Sequence, residues 1–193
     1  MINKLLLALA FALVVTAAPA LAGPPLICGT IDIGTAQSLP WSSAPGWNGA
    51  LASYDIAHLG DDTVSLLTPQ TPVNVRRETL RRAAIYAARQ SGLAESLAAR
   101  LIARANTTGD VANSPTAWFD AGYFVETIRQ AARIGEMLRP EQRVAWKLRA
   151  DPTHLDGLAL IEKAIRMGGR DMQPAAAFVA AARTPVDRYV PDR

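Results

Sequence analysis

A broad stripe of apolar and small residues in the second half of the chain constrains the fold more than any other feature. Its members recur every three or four positions, as on one side of an α-helix: Trp118, Ala121, Val125, Ile128, Ala132 and Gly135. Phe119, Tyr123 and Phe124 widen the stripe, and Ser114 followed by Pro115 is a typical helix start. Because a helix that is apolar on most sides must be covered by other elements, we expect this one at the centre of the core.

Helix signals recur on both sides of this segment. Capping residues, prolines in first turns and glycine stops predict further helices at residues 61–67, 71–90, 93–105, 140–150, 154–168 and 172–183. Only residues 26–33 suggest a short strand, since Ile31 and Ile33 share a face. The sequence therefore predicts an all-α fold, a compact array of helical hairpins that follows an irregular N-terminal segment.

Residues 1–22 have the pattern of a secretory signal peptide. Lys4 is followed by an uncharged apolar run, and Ala20-Leu21-Ala22 is a typical cleavage sequence, which predicts cleavage after Ala22. The apolar run is shorter than the roughly 20 residues of a transmembrane helix, and no later stretch is longer. We therefore expect an exported protein, periplasmic or secreted, without a transmembrane segment in its mature chain.

The mature chain divides into three parts by composition. Residues 23–60 are rich in Gly, Pro and Trp and are expected to be irregular. They either pack on the helical domain, with Trp41 and Trp47 buried against it, or present these indoles to a ligand. Residues 61–183 form the predicted helical domain, and residues 184–193 an extended tail.

Loss of Lys4 with the signal peptide lowers the formal charge from +3 to +2, and so small an excess of positive charge does not indicate a nucleic acid partner.

Four arginines share one side of the helix predicted at residues 71–90: Arg77, Arg81, Arg82 and Arg89. Together with Trp41 and Trp47 they are the candidate interaction surface. The alternative is a solvated face, or a face that forms salt bridges with a neighbouring helix.

Catalytic and metal-binding motifs are missing from the sequence, and only scattered candidates remain. Asp120 and Glu126 lie in the aromatic-rich helix, where a cleft could raise the pKa of one carboxyl group; the alternative places both on its solvated side. Asp55, His58 and Asp62 would share a face if a helix ran through them, a spacing suited to zinc or iron. The alternative is that Gly60 weakens such a helix and that Asp61 and Asp62 serve equally well as helix caps. No cofactor is predicted.

Cys28 is the single cysteine of the chain, so it has no partner for a disulfide within the chain. Its apolar neighbours favour a small buried side chain. A disulfide to another chain and a reactive thiol are the alternatives, although the sequence places no basic residue next to it.

These observations favour a non-catalytic protein of the cell envelope that binds a protein or peptide. A second hypothesis is a small exported hydrolase of cell-wall or extracellular glycan, with Asp120 or Glu126 as the acid. A third is a metal- or thiol-dependent module that uses His58 and Cys28.

Overall fold

The computed structural model describes residues 26–44, 46–107, 114–143, 146–148 and 150–183. The predicted signal peptide, its cleavage position and the predicted tail at 184–193 lie outside the described residues. The α-helices are α1 (Leu59–Leu66), α2 (Val73–Ala87), α3 (Leu93–Asn106), α4 (Pro115–Met137), α5 (Pro140–Arg143), α6 (Gly157–Arg166) and α7 (Gln173–Ala182). Short 3-10 helices span Gly46–Gly49, Ile56–His58 and Arg170–Met172. The described residues include no strand, so the predicted all-α class is confirmed.

Helix α4 lies at the centre of the molecule, as the apolar stripe predicts. It packs against α2, α3 and α6, and Phe119, Phe124 and Ile128 are completely buried. The predicted start is correct, because the Ser114 hydroxyl accepts a hydrogen bond from the Ala117 amide at 3.2 Å. No helix among the described residues has both the length and the apolar character needed to cross a membrane.

Two glycines allow α4 and α6 to cross at close range. A Cβ atom at Gly122 would lie 2.5 Å from the carbonyl oxygen of Gly157 and 2.9 Å from the Ile161 side chain. Gly157 faces Gly122 from α6 in the same way. The two backbones therefore touch, and α6 contributes Ile161 and Ala164, both fully buried, to the core around α4.

The predicted helix at residues 140–150 is confirmed only at Pro140–Arg143, and the described residues 146–148 and 150 are not helical. The backbone amides of Lys147 and Leu148 both donate to the Ala88 carbonyl, at 2.6 and 3.1 Å, at the end of α2. The Trp146 indole donates to the Ala131 carbonyl at 3.0 Å. These contacts with the end of α2 and with α4 hold residues 146–148 outside a helix, and tertiary packing thus overrides the local helix signal there.

The starts of the last two long helices also differ from the predictions. Asp156, not Thr153, caps α6 by accepting from the Ala159 amide at 3.1 Å, while the Asp151 side chain binds Thr153 in a separate turn. Asp171 lies inside a 3-10 turn, and α7 begins after Met172 without a side-chain cap. The stop at Gly168 is as predicted, with a positive φ of 111° that suits glycine.

The short strand suggested at residues 26–33 does not form. Residues 26–28 make a turn, and the Ile31 amide donates to the Glu78 side chain at 3.1 Å instead of to a neighbouring strand. A strand needs a partner for its backbone groups, and in this protein α2 supplies polar side chains in that role.

Candidate functional site

The polar side of α2 is covered by residues 26–44 and 46–51, which we call the strap. Three arginines donate to backbone carbonyls of the strap: Arg81 and Arg82 within α2, and Arg89 just after its end. Arg81 reaches the carbonyl of Ile27 at 3.1 Å, and Arg82 that of Leu39 at 2.7 Å. Arg89 reaches the carbonyl of Ala50 at 3.3 Å.

Hydrogen-bond acceptors on the rest of the protein, which we call the body, complement these donors. Glu78 accepts from the Ile31 amide, and the Tyr86 hydroxyl accepts from the Leu51 amide at 3.0 Å while donating to the Pro40 carbonyl at 2.6 Å. At the start of the strap, the Leu26 amide donates to the Gln130 side chain of α4. The body therefore binds both donors and acceptors of the strap backbone.

A buried ionic cluster holds these side chains in place. The Arg81 guanidinium donates a hydrogen bond to each carboxylate oxygen of Glu78, both at an N–O distance of 2.8 Å, and both side chains are fully buried. Arg82 adds a third bond to Glu78 at 2.8 Å. Burial raises the pKa of Glu78, but the hydrogen bonds and charges of Arg81 and Arg82 outweigh it and lower the pKa below its ordinary value. Glu78 is therefore a structural anion.

The aromatic residues of the strap lie against the same region. The Trp41 ring centroid lies 5.1 Å from the guanidinium carbon of Arg81, and the ring meets Tyr86 edge-on at 5.8 Å. Trp47 meets Trp146 at 6.3 Å. Both strap indoles are half-buried and pack on the core.

The strap covers most of the arginine side that the sequence offered as an interaction surface. Arg81 is fully buried and the Arg82 side chain is 16% exposed, while Arg77 and Arg89 are half-buried. The interpretation of a solvated face is wrong for Arg81, because the strap and Glu78 exclude water from it. Arg77 contacts the rings of Tyr123 and Phe178, 5.6 and 5.5 Å from their centroids.

Asp120 is buried between two arginines, so its predicted place on a solvated side is wrong. One oxygen binds Arg76 of α2 at 2.6 Å and Arg104 of α3 at 3.5 Å. Its other oxygen is buried without a hydrogen-bond partner in the structure. Burial raises the pKa of Asp120 to about 6, more than the two arginines lower it.

Glu126 is also buried, in a second and separate set of ion pairs. Arg129 binds it at 2.8 Å, and Arg183 binds it with N–O distances of 2.6 and 2.9 Å. Arg183 also pairs with Asp156 at the start of α6, so it joins α4, α6 and the end of α7. These hydrogen bonds raise the pKa of Arg183, despite its partial burial. Asp120 and Glu126 thus bind different arginines, and each connects elements of the fold.

The proposed metal ligands are not brought together. Asp55 accepts from the Ala57 amide at 3.0 Å as a helix cap, and Asp62 accepts from the Tyr54 hydroxyl at 2.7 Å. His58 Nε2 lies 3.5 Å from an oxygen of Asp55 on the exposed surface. In the parts of the chain that the structure describes, no three His, Cys, Asp or Glu side chains form a group that could hold a metal ion.

Cys28 lies in the strap, half-buried against the core. Burial raises the pKa of its thiol, and the nearby Arg81 only partly offsets this. A raised pKa disfavours the thiolate, which is the reactive form. The position fits the favoured interpretation of a packed side chain, and a disulfide to another chain stays a prediction.

A cleft of about 350 Å³ lies where α2 ends and α3 begins. Its walls include the charged side chains of Glu95, Lys147 and Asp151, together with His154, and neither Asp120 nor Glu126 lines it. His154 has a positive φ of 51°, which is unusual for a residue other than glycine. Asp151 is already bound to Arg129 at 2.9 Å and to Thr153.

Sequence reasoning missed the side chains that fasten the strap and the core. Glu78, Tyr86 and Gln130 bind strap backbone groups, and Arg76 pairs with Asp120. One signal was available: Arg76 precedes Leu80 by four positions and so lies on the apolar side of α2, where a charge must be paired.

Comparisons with known proteins assign the chain to no protein family. No family model matches it, and neither the curated proteins nor the solved structures include a significant match.

Proposed function

We propose that this protein is an exported, non-catalytic module of the cell envelope that binds a protein or peptide. The observation that carries the proposal is the polar side of α2, which binds a mostly irregular polypeptide segment through its backbone. Arg81, Arg82 and Arg89 supply donors, while Glu78 and Tyr86 supply acceptors. Recognition of main-chain groups with pockets for a few side chains is a common way to bind peptides.

The positions of the acidic residues support a binding role over hydrolysis. A glycosidase uses two carboxyl groups that flank one scissile bond. In this chain Asp120 is enclosed by Arg76 and Arg104, and Glu126 by Arg129 and Arg183. Each acid is about 1% exposed and joins separate elements of the fold, which favours a structural role for both.

Export is tested by the mass of the protein recovered from the envelope of a bacterial host. Cleavage after Ala22 predicts a mature chain that begins at Gly23. A full-length chain that stays in the cytosol would contradict this part of the proposal. The matched control replaces Ala20 and Ala22 with leucine, which removes the small residues that signal peptidase requires.

Binding is tested by selecting a display library of short unstructured peptides on the immobilised mature chain. We expect enriched peptides that bind the wild type and the Arg100→Ala variant equally, because Arg100 is half-exposed on α3 and only pairs with Asp61 on the surface. Failure to enrich any peptide would contradict the proposal. Cleavage of cell-wall glycan by the same preparation, lost in Glu126→Gln or Asp120→Asn, would instead favour the hydrolase.

A further inference from the structure

We infer that the strap occupies, within the same chain, the surface on α2 that binds the partner, so that a polypeptide segment of similar, mostly irregular conformation binds only when the strap leaves. This inference rests on the proposed function and adds to it a position, a class of ligand and a means of control. The ligand class is a mostly irregular segment of another polypeptide, held by its backbone.

The hydrogen bonds between the body and the strap involve very few side chains of the strap. In the described residues, one hydrogen bond from the strap to the body uses a strap side chain, between the Ser38 and Thr79 hydroxyls at 3.0 Å. The others use backbone groups along the strap, at residues 26, 27, 31, 39, 40, 46, 50 and 51. Backbone groups are the same in every polypeptide except at proline, so another segment that adopts the same conformation can form the same bonds.

Side-chain selectivity comes from a few apolar positions. Leu26, Ile27 and Leu39 are the large strap residues buried in the core, at 2% exposure or less. Trp41 packs between Arg81 and Tyr86. A competing segment therefore needs aliphatic or aromatic side chains at matching intervals and has few other requirements.

The strap fits its place imperfectly, which favours exchange. The indole nitrogen of Trp41 is buried without a hydrogen-bond partner in the structure. Residues 29 and 30 and residues 34–37 are exposed, and between residues 28 and 37 the Ile31 amide makes the one hydrogen bond to α2. An unsatisfied buried donor and a largely exposed stretch before Ser38 both lower the cost of release.

The surface beneath remains formed when the strap leaves. Glu78 and Arg81 are three residues apart on α2 and bind each other directly, and Arg82 binds Glu78 from the next position. These pairs fix the guanidinium groups without help from the strap. The released surface therefore presents a ready row of donors and acceptors to an incoming backbone.

The first experiment locks the strap with a disulfide. Ser38→Cys and Thr79→Cys are introduced together with Cys28→Ser, because the two hydroxyls already lie 3.0 Å apart. A copper–phenanthroline oxidant forms the bond, and thiol titration confirms it. The probe is a labelled synthetic peptide of residues 26–51 that carries Cys28→Ser, the sequence that the structure shows to fit.

We expect the peptide to bind the reduced protein at least about tenfold more tightly than the oxidised protein, with full recovery after reduction. The Cys28→Ser protein, treated with the same oxidant, is the control and should not change. Equal binding to the oxidised and reduced forms would overturn the inference, as would no binding to the reduced form. If peptides from the display library bind both forms equally, the proposed function stands and the inference about the strap fails alone.

A second measurement needs no engineered disulfide. Cys28 of the wild-type chain should react slowly with a thiol reagent, since the half-buried strap must open first. Excess peptide of residues 26–51 with Cys28→Ser should capture the open form and speed the reaction several-fold, whereas a scrambled proline-rich peptide should not. An unchanged rate would overturn the inference even if the disulfide variant failed to fold.

Discussion

The core around α4 and the contact between α2 and the strap are held together by different parts of the chain. Around α4, side chains meet side chains, and at Gly122 and Gly157 two helix backbones touch because both lack a Cβ atom. At the strap, side chains of α2 meet the backbone of a segment that is mostly irregular. The first kind of contact depends on the sequences of both partners. The second depends on the sequence of α2 and, in the strap, on a few apolar side chains such as Leu26, Ile27 and Leu39.

The strap contact is most easily broken at Glu78. Glu78→Gln removes the charge that pairs with Arg81, and both side chains are fully buried. Breaking a buried ion pair by changing one partner costs about 3–5 kcal/mol, so we expect a loss of that size in the free energy of unfolding measured in urea. A loss under about 1 kcal/mol would mean that water reaches Arg81 and that the strap does not seal the cluster.

The two regions should respond to pH with opposite signs, and Asp120 represents the core around α4. Its folded pKa of about 6 exceeds the ordinary 3.8, so its contribution to stability is fully present below pH 3.8 and is lost as the pH rises through 6. The loss is up to about 3 kcal/mol between these limits. Glu78 has a lowered pKa, so its contribution is present above its ordinary value of 4.5 and is lost as the pH falls through its folded pKa.

Urea unfolding at a series of pH values measures both contributions. Asp120→Asn should remove the decline between pH 4 and 6 and leave the decline at lower pH in place. If the wild type and Asp120→Asn show parallel curves between pH 4 and 6, the arginines control the pKa of Asp120 more strongly than burial does.

Gly122→Ala tests the close crossing of α4 and α6. The new Cβ atom would lie 2.5 Å from the Gly157 carbonyl oxygen, which is backbone and cannot turn aside. Overpacking of this kind costs about 1–3 kcal/mol, partly offset by the better helix propensity of alanine, which is worth up to about 1 kcal/mol. Thermal and urea unfolding measure the net loss. Gly29→Ala, where a Cβ atom meets nothing within 4 Å, is the control and should stay close to the wild type.

Ser38→Ala should have the smallest effect and the most local one. It removes the hydrogen bond to Thr79, a loss of about 1 kcal/mol. We expect a small fall in the urea midpoint, in proportion to that loss, and a faster reaction of Cys28 with a thiol reagent, because the strap opens more often. Ser65→Ala, which removes an exposed bond within α1, is the comparison and should leave the rate of Cys28 unchanged.

The sequence allowed the α4 region to be predicted much better than the strap. The three- and four-residue spacing around Val125 and the Ser114-Pro115 start are local signals, and the structure confirms the helix and its central position. The helix expected at residues 140–150 failed because the backbone of Lys147 and Leu148 binds Ala88, a partner distant in sequence. No local pattern contains that information.

The candidate site was less predictable for the same reason. Arg81 and Glu78 have the spacing of an ordinary surface pair, and only the covering strap buries them. The strap in turn has no periodicity, since its bonds use backbone groups that every residue has. Asp120 was singled out for the aromatic residues around it, and its burial follows from them, but its arginine partners come from α2 and α3.

Helix α2 carries one buried arginine toward the core and another toward the strap. Arg76 is tied to Asp120, and Arg81 to Glu78. Loss of either partner alone leaves a buried charge, whereas apolar replacement of both can be tolerated. Divergent descendants of this sequence should therefore keep each pair or exchange both members together, and such joint changes would mark relatives too distant for overall similarity to reveal.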